Sequence, residues 1–163
     1  MLSEFIDRAQ LLFVMAVGGM LGASARYGLA RLVPAQSGGF PWATFLTNLS
    51  GAFVLGALLA LLERFPQGRL VRPFLATGII GAFTTMSTFE VETAMLVARG
   101  QWVTAFAYGV GSVGCGLALC FTGIRVGRST PADRRAAVLV LVPDAAAVPL
   151  FVGHDDIQRR SAG

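Results

Sequence analysis

The sequence predicts an all-α membrane protein with four transmembrane helices, the third of them broken, and three observations predict it. Only 13% of the 163 residues are charged and 55% are hydrophobic, whereas a soluble domain carries about 25% charged residues. Four apolar segments reach the roughly 20 residues that a bilayer crossing requires. One of them is interrupted by a hydroxyl cluster, Gly81-Ala82-Phe83-Thr84-Thr85-Met86-Ser87-Thr88-Phe89. Lipid cannot satisfy polar groups, so this cluster must face protein or water. Crowded hydroxyls and glycines also invite the helix to break and free backbone groups that bind ions.

The first span covers residues 11–32 and carries Arg26 with no acid beside it, close enough to Arg31 for both to reach the interface. It is too long, and too marked by Arg26, for a cleavable leader. The second span, 42–62, opens on Trp42, whose ring suits the headgroup layer. The third covers 71–97 and holds the hydroxyl cluster; the fourth, 102–126, opens on Trp102. The connections 33–41, 63–70 and 98–101 are short, so consecutive helices are expected to pack as antiparallel neighbours. Small residues four apart recur in every span, at Gly18/Gly22, Ala52/Gly56, Gly78/Ala82 and Ser112/Gly116, which favours tight packing or dimerisation. The chain thus divides into a four-helix transmembrane domain, 1–127, and a tail, 128–163. In the tail the apolar run 136–142 is too short to span, and Pro143 and Pro149 break the chain beyond it, so the tail is expected to be disordered or surface-lying.

Composition also excludes function classes. The net charge of +4 comes from arginine alone. Because these arginines sit at the ends of apolar segments and form no basic face, nucleic acid is not a partner and membrane lipid is. Cys115 and Cys120, five apart on one helix, diverge and read as small apolar core residues. His154 stands in a polar tail with only Asp155 and Asp156 near it, a poor zinc site. Glu90 and Glu92 flank the hydroxyl cluster but diverge on a helix, so they are no acid–base pair. With no nucleophile–base pair, metal-ligand spacing or phosphate loop, the chain is not read as an enzyme. A small exporter of cationic drugs would want an acid embedded in an early span, and the nearest, Glu4 and Glu63, lie outside.

Few polar residues remain inside the spans. Asn48 sits about two turns into the second, where its amide serves as an interhelical tie or a donor to an anion. Thr44 lies one turn earlier on the same face and Thr47 is adjacent. Tyr108 and Ser112 repeat the spacing in the fourth span.

Three of these stretches together resemble the family of fluoride channels called Fluc or CrcB. Gly18-Gly19-Met20-Leu21-Gly22-Ala23-Ser24-Ala25-Arg26-Tyr27 is similar to its first-helix signature. Pro41-Trp42-Ala43-Thr44-Phe45-Leu46-Thr47-Asn48-Leu49-Ser50-Gly51 resembles its second-helix motif, with Ala43 where glycine is usual. The stretch from Gly81 to Phe89 resembles its third-helix break, with Met86 in place of the first phenylalanine of a pair. The resemblance covers the chain through the fourth span.

It implies a passive channel that exports fluoride to relieve its toxicity, built as an antiparallel dimer with two pores and a structural sodium ion. The alternative is an accessory subunit that completes a heterodimer. Backbone carbonyls of Gly81 and Thr84 would hold the sodium, Asn48 would donate to fluoride, and Phe89 would present its ring edge. Ser87, Thr88, Tyr108 and Ser112 would extend the polar lining, with Thr44 on the Asn48 face and Arg26 at the entrance. Met86 fills its position without offering an aromatic edge. The physics agrees: fluoride is tightly hydrated, so a dry pore must replace water with close donors held in weak, multiple sites. One end of the bundle carries Arg8, Arg64, Arg69, Arg72, Arg125 and Arg128, the other Arg31 and Arg99. That bias puts both termini in the cytoplasm and favours a related, oppositely inserted partner over a homodimer.

Overall fold

A computed structural model describes residues 2–33, 39–64 and 68–129. The expected tail, with His154, lies outside the described residues from position 130 onward. Helix α1 runs Leu2–Leu32, α2 Trp42–Leu62, α3 Gly81–Phe83, α4 Met86–Ala98 and α5 Trp102–Ser129. A π-helical segment, Pro73–Ile80, leads into α3. Among the described residues, four stretches are long and apolar enough to cross a membrane: Glu4–Leu32, Trp42–Leu62, Pro73–Ala98 and Trp102–Ser129. Leu12, Phe13, Val103, Phe106 and Phe121 stand exposed on the outside of the bundle, as expected where lipid is the solvent.

Two helices outrun the spans expected for them. Helix α1 begins at Leu2 rather than residue 11, because nothing in its polar first turns breaks a helix and Glu4 suits the positive N-terminal end. Its Asp7 pairs with Arg69 at 3.0 Å. Helix α5 continues past residue 126 to Ser129. Arg64 Nη1 binds its last described turn, donating to the carbonyls of Gly127 at 3.1 Å and Arg128 at 2.8 Å.

The packing overturns one expectation. Consecutive spans are not the main partners: α1 lies chiefly against the π-helical segment and α3, and α2 against α5. The paired helices run parallel, since Phe45 meets Gly111, Gly56 meets Cys120 and Ala60 meets Gly127 in ascending order. Glycine decides this. A Cβ at Gly18 would stand 2.6 Å from the Phe74 carbonyl oxygen, and one at Gly22 would collide with that of Ile79. Without side chains there, backbones approach closely enough to outweigh the short loops. Gly116 makes no such approach among the described residues, because a Cβ there meets nothing within 4 Å. Cys115 is exposed rather than core.

Candidate functional site

The third span breaks at Thr84 and Thr85, whose backbones are extended (φ −76°, ψ 157° and φ −146°, ψ 120°). Asn48 holds the break from α2. Its Oδ1 accepts from the Thr85 N–H at 2.8 Å, and its Nδ2 donates to the Thr85 carbonyl at 3.0 Å. Thr85 also caps α4: its hydroxyl oxygen accepts from the Thr88 N–H at 3.2 Å and donates to the Thr88 hydroxyl at 2.9 Å.

These bonds account for two of the carbonyls released at the break. In a continuous helix the N–H of residue i bonds to the carbonyl of residue i−4. The Thr85 N–H would therefore satisfy Gly81, and the Thr88 N–H would satisfy Thr84. Asn48 takes the first and the Thr85 side chain takes the second. Helix α3 accordingly ends at Phe83 and α4 starts only at Met86. The carbonyls of Gly81 and Thr84 lose their helical donors by identifiable side-chain capture.

Beside the break lies a cavity of about 300 Å³ between α1, α2 and α4, lined by Arg26, Tyr27, Thr44, Thr47, Thr85 and Thr88. An arginine and four threonines thus converge where sequence reasoning places an entrance. Asn48, one turn from Thr44, is not among the lining residues.

Sequence reasoning missed a second constellation. Glu92 accepts from Thr44 Oγ1 at 2.9 Å on Oε1 and from the Tyr108 hydroxyl at 2.7 Å on Oε2. One carboxylate so ties α2, α4 and α5 together. The signal lay in the spacing, because Glu92 falls one turn beyond Thr88 and Phe89 on the Thr85 face. Divergence from Glu90, which is exposed, ruled out a carboxylate pair but not a single working carboxylate.

The remaining predicted residues divide. Tyr108 is fully buried (0% exposed), and its ring lies 4.9 Å from that of Phe89. Ser112 Oγ is buried with no hydrogen-bond partner among the described residues. Met86, 63% exposed, and Ser87 stand on the outer surface of the subunit at the start of α4.

Comparison with known proteins fits this geometry. The sequence profile of the CrcB-like protein, Camphor Resistance (CrcB) family matches residues 13–124, which take in every residue of the site named above. The chain is 44% identical over 128 residues to the fluoride-specific ion channel FluC 3 of Streptomyces avermitilis, covering 78% of this chain and 63% of that relative, just under two thirds of its length. It is 43% identical over 114 residues to the fluoride-specific ion channel FluC of Paracoccus denitrificans, covering 70% of this chain and 91% of the relative. Against the FluC of Thermus thermophilus it is 44% identical over 116 residues, covering 70% and 92%.

Proposed function

This chain belongs to the CrcB family, and from that membership we propose that it is a subunit of a fluoride-selective, passive ion channel. It is a multi-pass membrane protein. One observation carries the reading: a span broken midway by an asparagine from the neighbouring helix, with the hydroxyls of Thr44, Thr47, Thr85 and Thr88 gathered beside the break. The Asn48 Nδ2 has two hydrogens, of which Thr85 takes one, leaving one to replace a water on fluoride. Helix α4 points its positive end at the break, where an anion is favoured. Nothing here calls for ATP or a catalytic group; the work is dehydration and weak rebinding. Flux from liposomes tests the reading. With this chain reconstituted alongside an oppositely inserted relative, fluoride is expected to pass and chloride to be excluded, and equal rates, or neither ion passing, overturn it.

Sodium suits the other side of the break. Carbonyl oxygens are hard donors matched to a hard cation, and they sit at the negative end of the segment that ends in α3. In this reading the carbonyls of Gly81 and Thr84 hold a structural sodium that fixes the break, with two more from an oppositely inserted subunit. Gly81 offers a clean test, because a Cβ there comes no closer than 3.6 Å to its own subunit, at the Ala76 carbonyl oxygen. Gly81→Leu is expected to leave the subunit folded and weaken its dimer; a dimer unchanged in size-exclusion or cross-linking measurements counts against the shared ion.

Charge sets the orientation. Arg69 on Asp7 and Arg64 on the end of α5 belong to the arginine-rich end. A chain so biased inserts one way and takes a related subunit inserted the other way. Topology reporters at the C-terminus are expected to face the cytoplasm; equal populations on both sides mean a homodimer instead.

A further inference from the structure

Phe40 precedes α2 and lies outside all three sequence motifs. Its carbonyl accepts from the Trp42 N–H at 2.8 Å, which fixes the turn into the helix. Its ring meets three others: Trp42 at 4.6 Å, Phe45 edge-on at 5.2 Å and 78°, and Tyr108 edge-on at 5.4 Å and 81°. Trp42 and Phe45 are themselves edge-on at 6.0 Å and 89°, so the ring is braced from both sides.

Tyr108 is therefore held at three points. Phe40 packs on it, Phe89 tilts against it at 4.9 Å, and its hydroxyl donates to Glu92. Edge-to-face pairs have a preferred geometry, so an edge-on ring sets the tilt of its partner as well as covering it. A ring that tilts swings its hydroxyl, and here that hydroxyl ends on the carboxylate that also binds Thr44 at the cavity.

We propose that Phe40 is a positioning residue for the anion path: its ring, braced by Trp42 and Phe45, holds the Tyr108 hydroxyl on Glu92 and the Tyr108 ring against Phe89. This rests on the channel reading. Phe40 touches no ion; it keeps water from the back of Tyr108, so that donors to the anion keep one geometry. Loss of the edge contact loosens the site toward larger, less hydrated anions. Selectivity then falls more than folding does.

The test measures fluoride and chloride efflux from liposomes that also hold an oppositely inserted relative, for the wild type, Phe40→Leu, Phe40→Tyr, Tyr108→Phe and the Phe40→Leu/Tyr108→Phe double variant. Phe40→Leu is expected to lower the fluoride-over-chloride ratio by about three- to tenfold, the range of one aromatic pair. Phe40→Tyr keeps the ring and is expected to stay at the wild-type ratio. With Tyr108→Phe already present, Phe40→Leu is expected to cost little more, because the hydroxyl it positions is gone. If Phe40→Leu does not fold, Phe40→Met carries the same expectations. A wild-type ratio in Phe40→Leu, or independent effects of the two single changes, overturns the proposal while leaving the channel intact. A wild type that passes no fluoride instead overturns the channel reading, and this inference with it.

Discussion

Asn48→Ala is expected to lower fluoride flux by about a hundredfold or more while the four spans still form. The alanine removes both side-chain bonds to the Thr85 backbone, at 2.8 and 3.0 Å. A partly buried group left unpaired costs about 1–3 kcal/mol, and two are affected. The chain can escape that cost in one way: the Thr85 N–H returns to the Gly81 carbonyl and the helix closes across the break. Closure consumes the carbonyl proposed for sodium and removes the donor proposed for fluoride. Circular dichroism in detergent is expected to stay near wild type, with liposome flux lost and the dimer weakened. An Asn48→Ala protein that conducts at the wild-type rate means the side chain only ties helices. Asn48→Asp makes a useful companion, since it keeps the acceptor for the Thr85 N–H and loses the donor. It is expected to retain the break and lose the flux.

The second large effect is expected at Glu92. Glu92→Ala leaves the fully buried Tyr108 hydroxyl and the Thr44 hydroxyl without their acceptor. At about 1–3 kcal/mol for each orphaned group, the thermal midpoint should drop, and fluoride flux should fall at least about tenfold as Tyr108 and Thr44 find other partners. Glu92→Gln is milder. Its amide oxygen still accepts from one hydroxyl, and the other hydroxyl rotates to accept from the amide N–H. Flux within a few-fold of wild type is expected there. Should Glu92→Ala melt and conduct as the wild type does, the carboxylate is a bystander to both fold and path.

Much of this protein was legible in its sequence because the relevant physics is local. Hydrophobic length and the scarcity of charge determined the number of spans, and α2 falls on the residues expected, Trp42–Leu62. The break was also local: hydroxyls packed between Gly81 and Phe89 compete for backbone groups wherever the chain runs, and the extended pair Thr84–Thr85 lies inside that stretch. The tertiary structure decided what depends on facing helices. It paired α1 with the third span and α2 with α5, because close backbone approach at Gly18, Gly22, Gly56 and Gly127 counts for more than short loops. It chose Thr85 as the partner of Asn48, and thereby chose Gly81 as a released carbonyl. It brought Glu92 to Thr44, 48 residues away in sequence, and set Phe40 behind Tyr108 across two further spans. A hydrogen-bond donor announces its chemistry from its own side chain. Its acceptor is named only when another helix arrives within about 3 Å at the right angle.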